Sequence, residues 1–283
     1  MKEVVDEYLK EPGRLPSMSQ VVLKVMNLVQ DPSVSMQLLA AEISKDPAIT
    51  AAIIKISNSA YYRASRPIRT VHEALMTLGI QTVKEIVLIS ASKGILHKDL
   101  KGYQLEAEDV WVHSLIVAEL SCKIAEYKKI NIPKDLIFTA GLLHDIGKVI
   151  LAQFFPMKIM EIKDELKNAG TTFTEIEKKY FGYDHQEIGE KVMGTWNFPD
   201  ELKEVVAYHH NPEDSTKFPQ LVSIVHIANT LAIVTGFGID IGGINHELSP
   251  FAMKQVGFTD SDIEYFYTNM PDFQKNIAEL VRV

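Results

Sequence analysis

Apolar residues recur along this chain at helical rather than alternating spacing. Val21, Val22, Val25, Leu28 and Val29 share one helical face, and Asp31-Pro32 ends that run. Ser35 is placed to cap a helix carrying Leu38, Leu39 and Ile43 on its apolar face. Asp46-Pro47 reads as a cap followed by proline at the first helical position. The ITAAIIKIS segment behind it is expected to be buried nearly all round. Thr70-Val71-His72-Glu73 has the form of a capping box for a helix that stops near Gly79. Thr82-Val83-Lys84-Glu85 offers a second box, opening an apolar helix to about Ile95. The first hundred residues therefore read as about five short helices joined by tight turns.

The polar stretch HKDLKGYQ, residues 97–104, interrupts this pattern and contains Gly102. It divides the chain into a 1–103 helical subdomain and a 104–283 helical subdomain. The second opens with a long helix, about Glu106 to Tyr127, whose apolar face holds Val110, Val117, Leu120 and Ile124. Pro133 opens the next helix, which runs into GLLHDIGK. Further helices are predicted near 157–168, 173–181, 184–195, 199–210, 218–235 and 259–280. One or two more are expected after about residue 240, with Thr259 or Ser261 as caps. No alternating strand pattern of useful length occurs, so the fold class is all-α.

Composition narrows the chemistry. The chain has 283 residues and 46% hydrophobic positions, enough to bury a substantial core. Lys+Arg 29 against Asp+Glu 37 gives a net charge of −8, which excludes broad, non-specific nucleic-acid binding. The single cysteine, Cys122, excludes an internal disulfide and a cysteine-built zinc site, and it reads as a packed small hydrophobe. The first residues lack the basic and apolar regions of a secretory signal. Phe218 to Ile239 carries no Asp, Glu, Lys or Arg, but its Gln220, Ser223, His226, Asn229 and Thr230 fit a buried helix better than a membrane span. A cytoplasmic protein is the expectation.

Nine histidines accompany the single cysteine, so any metal must be held by imidazole and carboxylate. His113, His144, His185, His209 and His210 stand out. His144-Asp145 is an adjacent pair running into Gly147-Lys148, His209-His210 closes a helix before Asn211-Pro212, and Asp109 precedes His113 by one helical turn. A divalent ion held by such groups could lower the pKa of a bound water and supply a nucleophile. Lys148 could then hold a phosphate oxygen. His72, His97 and His246 read as surface or capping residues and His226 as a hydrogen-bonded core histidine. Asn58, in Ser57-Asn58-Ser59, reads as a helix end closed by side-chain hydrogen bonding. Arg63, Arg66 and Arg69, near Lys55, read as a solvated face.

The order His…His-Asp…His…His-His resembles the HD superfamily of metal-dependent phosphohydrolases, including its HD-GYP branch. LPSMSQVVLKVMNLVQDP, ISKDPAITAAIIKISNSAYY and ALMTLGIQTVKEIVL resemble the HDOD domain, the HD-related output domain of bacterial signalling proteins. The matching blocks cover roughly residues 14–215. The resemblance implies an N-terminal helical subdomain packed on an HD-like one. It implies metal ligands at His113, His144, Asp145, His185, His209 and His210, with Asp109 at a carboxylate position of the two-metal branch. Lys148 matches a phosphate-contacting lysine, and Asp145 and Lys148 are the catalytic candidates if the protein is an enzyme. Two departures stand beside this. Asn229, in VHIANTLA, occupies the position of the superfamily's last aspartate, and Asp184 follows Gly182-Tyr183 where the GYP motif has proline. Two divalent ions would then face at most two carboxylates, Asp145 and Asp109.

Three functions follow from these residues. The first is a regulatory signalling module without hydrolase activity that keeps a His/Asp site for a divalent metal such as Fe, Mn, Zn or Ni. The second is a metal-dependent phosphohydrolase acting on nucleotides or cyclic dinucleotides, and the third is a metal-centred sensor. The expected partners are signalling proteins or a small phosphate-containing ligand, with homodimerisation through the C-terminal helices an open alternative and no membrane partner.

Overall fold

The structure is a computed structural model. It describes residues 2–11, 15, 19–29, 31, 33–59, 61–62, 66–97, 107–154, 172–237 and 247–281. Among these residues the fold is all-α, with no strand. The predicted helix near 157–168, residues 98–104 of the polar break, Arg63 and His246 lie outside them. Backbone contacts divide the chain into a larger unit, Met1–Pro16 with Leu96–Pro271, and a smaller unit, Ser17–Ile95 with Asp272–Val283.

The smaller unit is built from α2 (Gln20–Leu28), α3 (Met36–Ile43), α4 (Pro47–Ser57) and most of α5 (Val71–Leu96). Ser35 caps α3 by accepting from Leu38 N, and Asp46 caps α4 by accepting from Ala48 N and Ile49 N. Two expectations need correction. Leu38 is exposed, and Leu39, Ala40, Glu42 and Ile43 form the buried face of α3. Helix α4 is not buried all round: Ile49, Ile53, Ile56 and Ser57 face inward, while Ala48, Ala51 and Lys55 are exposed. A run of apolar residues at positions 51–54 outnumbers the faces that its neighbours cover.

Thr70 accepts from Glu73 N, but Glu73 returns to Arg69 N rather than to Thr70. The helix it opens stops at Gly79 as expected, and α5 is two helices that meet there at a kink. That residue has φ +84 and ψ 165, a conformation essentially confined to glycine, and helical geometry resumes at once. The second helix begins directly after Gly79, so Thr82 lies inside it and is not its cap. Asn58 closes α4 as expected. Its amide donates to Ile54 O and Ile68 O, both at 2.7 Å, and its oxygen accepts from Ile68 N at 2.8 Å. One side chain thus replaces a pair of backbone hydrogen bonds across the 58–68 connection.

The larger unit contains α1 (Lys2–Lys10), α6 (Ala107–Tyr127), α7 (Lys134–Leu143), α8 (Ile146–Phe154), α9 (Phe173–Phe181), α10 (His185–Thr195), α11 (Asp200–Tyr208), a 3-10 turn at Pro212–Asp214, α12 (Pro219–Val234), α13 (Pro250–Val256) and the start of α14 (Asp260–Val281). Helix α12 is the uncharged stretch read from the sequence, and every residue from Leu221 to Ile233 is buried. It packs against α6, α7, α11 and α13. Among the described residues one helix, α5, is long and apolar enough to cross a membrane, and half of its most apolar window is buried.

Helix α1 has no counterpart among the elements expected from the sequence. Val5 and Tyr8 are its buried residues, and Asp6 accepts a 2.8 Å hydrogen bond from the Tyr183 hydroxyl. Lys2 and Lys191 lie over the Tyr183 ring at 4.6 and 4.9 Å from its centroid.

Candidate metal centre

Helix ends and turns deliver most of the candidate ligands. His113 lies in the second turn of α6, His144 and Asp145 in the turn between α7 and α8, His185 at the first position of α10, and His209-His210 directly after α11. The Thr172–Glu175 and Asp184–Glu187 capping boxes fix where α9 and α10 begin. Gly147 sets the approach of α8 to α10. A Cβ there would run into the His185 carbonyl oxygen, so only glycine allows the crossing that brings Asp145 to His185.

The structure gathers these groups around the Asp145 carboxylate. Its Oδ1 lies 3.4 Å from His209 Nε2 and 3.6 Å from His185 Nε2. Its Oδ2 lies 3.4 Å from His144 Nε2, 3.8 Å from His113 Nε2 and 3.0 Å from Lys148 Nζ. His185 Nε2 is 3.4 Å from His209 Nε2 and 3.0 Å from His210 Nε2. Two overlapping groups that could hold a metal ion result: Asp145, His185, His209 and His210, and His113, His144 and Asp145. All are buried except His210, which is half-buried.

The outer ring nitrogens explain why the Nε2 atoms converge. His113 Nδ1 donates to Phe237 O at 3.1 Å, His144 Nδ1 to Gly141 O at 2.8 Å, and His209 Nδ1 to Val206 O at 3.0 Å. A carbonyl can only accept, so each ring carries its proton outside and presents an Nε2 lone pair inside, the arrangement of metal-ligating histidine. His185 instead pairs Nδ1 with Glu177 Oε2 at 2.6 Å, and the same oxygen accepts from His185 N at 2.9 Å. His144 Nε2 and Asp145 Oδ1 are buried and make no hydrogen bond. Orphaned acceptors in one buried His/Asp cluster are what a divalent ion would satisfy, so the donor set fits a metal.

Burial dominates the titration of this cluster. It pushes His113 down to about 4 and His209 down to about 3, helped by neighbouring imidazoles. Burial also works against the Asp145 carboxylate, yet the Lys148 ammonium and His144 outweigh it and hold Asp145 well below the usual carboxylate range. His185 shows the opposite balance: burial lowers it, but Glu177 raises it more.

One expected residue is placed differently. Asp109 lies in the exposed first turn of α6 and belongs to neither ligand set. Asn229 is buried on α12, with an Oδ1 that makes no hydrogen bond. Lys148 is buried, with its ammonium on Asp145. His226 is the hydrogen-bonded core histidine expected. Its Nδ1 donates to His209 O at 2.8 Å and its Nε2 accepts from Ser249 N at 3.0 Å. Glu177 is a member of the site that sequence reasoning does not single out. Its signal is a carboxylate on the buried stripe of α9, between Phe173, Ile176 and Phe181.

An all-α domain with a buried His/Asp centre of this order is a protein of the HD type. Residues 15–212, more than half of the chain, match the HDOD domain, and the chain belongs to that family. It is 25% identical over 222 residues to an uncharacterized protein of Treponema pallidum (strain Nichols), covering 76% of this chain and 41% of that one. The chain therefore spans about two fifths of the length of this curated relative. Among solved structures, an HDOD domain protein of unknown function from Geobacter sulfurreducens superimposes with a TM-score of 0.79 at 24% identity, covering 98% of this chain and 97% of that one. A candidate signal-transduction protein from Marinobacter aquaeolei VT8 gives 0.77 at 20% identity, covering 95% and 59%. At these identities the two structures support the fold alone.

Proposed function

We propose that this chain is a regulatory HDOD module whose His/Asp centre binds a divalent metal ion, such as Fe, Mn, Zn or Ni, without turning over a phosphoester. The observation that carries this reading is the closure of the centre. His113, His144, Asp145, Lys148, His185 and His209 are all buried, and of the ligand set only His210 is partly open to solvent. A hydrolase must admit a phosphoester to the ion and its water. Here the lysine expected to contact phosphate is turned inward onto Asp145. Such a centre is suited to organising helices α6 to α12, with the output read by a signalling protein.

A second reading, a metal-dependent phosphohydrolase, is supported by one specific observation. All five superfamily-pattern histidines point lone pairs or ring nitrogens into one site beside Asp145 and Lys148. The two readings separate in one experiment. Protein purified without chelators or immobilised nickel is analysed for metals, then incubated with bis(p-nitrophenyl) phosphate and with cyclic dinucleotides. Bound metal without hydrolysis is the expected result. Cleavage that disappears in Asp145→Ala would establish the hydrolase instead.

A further inference from the structure

The two ligand sets share Asp145 but differ in spacing, charge and outer support. On the Oδ1 side, four of the six separations among Asp145, His185, His209 and His210 run from 3.0 to 3.6 Å, and all lie within 4.8 Å. With metal–nitrogen bonds of about 2.1 Å, adjacent ligands lie roughly 3.0 Å apart in an octahedron and roughly 3.4 Å apart in a tetrahedron. These atoms already stand at the edges of a coordination polyhedron. On the Oδ2 side, His144 is 3.4 Å and His113 3.8 Å away, and Oδ2 itself is ion-paired to the Lys148 ammonium at 3.0 Å.

Charge separates the halves further. The Oδ1 side is backed by Glu177, fully buried and hydrogen-bonded twice to His185. A carboxylate on the outer nitrogen of a ligating histidine fixes the ring and increases its basicity. On the Oδ2 side the outer nitrogens of His113 and His144 donate to neutral carbonyls instead. That side also carries a buried ammonium, and a divalent ion placed beside it would be repelled in a medium of low dielectric.

We propose that the centre holds one divalent ion, in the half formed by Asp145 Oδ1, His185, His209 and His210, with Glu177 as its outer-sphere positioning carboxylate and Lys148 as a fixed internal cation in place of a second ion. This rests on the metal-binding reading above and specifies where the ion sits. The Lys148 half is a latent second site. Its ligands His113 and His144 are in place, and His144 Nε2 is an orphaned acceptor, but its positive charge is already present.

The test is metal titration of chelator-treated, full-length protein with Co2+, read by calorimetric stoichiometry and by the visible spectrum. Wild type should take up one equivalent. His210→Ala should lose at least tenfold in affinity, and Glu177→Gln about tenfold to a hundredfold. His113→Ala should change affinity less than threefold. Lys148→Met should take up a second equivalent, with helical content by circular dichroism unchanged. Two equivalents in wild type, or loss of binding in His113→Ala with His210→Ala unaffected, would overturn the proposal while leaving a metal-binding module intact. No uptake by any of these proteins would overturn the metal-binding reading itself, and this proposal with it.

Discussion

Single residues decide how the centre is assembled, and glycine gives the sharpest test. Gly147 has no room for a Cβ because the backbone of His185 occupies that space. Gly194, in the last turn of α10, is exposed, and a methyl group there would meet nothing within 4 Å. Gly147→Ala should therefore destabilise by about 1–3 kcal/mol through overpacking. Gly194→Ala should stabilise by about 0.5–1 kcal/mol through helix propensity and chain entropy. Urea unfolding of the two metal-free variants should show shifts of opposite sign, and shifts of the same sign would refute the crossing argument. The ligand rings are legible in the sequence because their order alone carries the pattern. Glu177 is not, because it reaches His185 from a different helix. Asp109 misleads: one helical turn of spacing suggests a place near His113, but the first turn of α6 leaves it in solvent while His113 is covered.

At the scale of elements, caps and breaks are legible where a side chain bonds to nearby backbone. Ser35, Asp46 and Asn58 do what their positions in the sequence imply. Helix α1 leaves no such mark because its support is remote: Tyr183, far along the chain, donates to Asp6 and has Lys2 and Lys191 over its ring. Helix α4 is less buried than its composition implies, because counting apolar residues does not show which faces have neighbours. Gly79 reads as a stop, and one helix does end there, with the next beginning directly after the kink. At φ +84 and ψ 165, any Cβ is strained even though space surrounds the position. Gly79→Ala should cost about 1–3 kcal/mol, measurable as a lowered urea midpoint. An unchanged midpoint would mean that the break is not required.

For the whole molecule, the buried centre links stability to pH. An unfolded chain protonates its histidines near 6.5, whereas folded His113 and His209 resist until about 4 and about 3. Between those values the unfolded state binds more protons, so stability rises with pH and falls on acidification. Depressed Asp145 acts in the same direction at lower pH. His185, raised by Glu177, acts oppositely: its contribution is present below its ordinary value and lost as pH rises past its folded one. With two strongly depressed rings against one raised, metal-free protein should lose urea resistance from about pH 6.5 towards pH 4. A flat or rising midpoint over that range would contradict neutral burial of His113 and His209. The all-α class and the family are legible from helical spacing and three sequence blocks. The division into discontinuous units is not, because contacts between distant segments leave no mark on local pattern.

The crossing at Gly147 has a mechanical consequence. Where side chains separate two helices, rotamer changes can absorb a small displacement before it spreads. Here backbone meets backbone, and that compliance is missing. A shift of His185 by a fraction of an ångström, were its ring to settle on an ion, would pass into α8 with little damping. The same substitution of hydrogen for methyl that lets these side chains meet would make the pair a stiff lever between the centre and a helix.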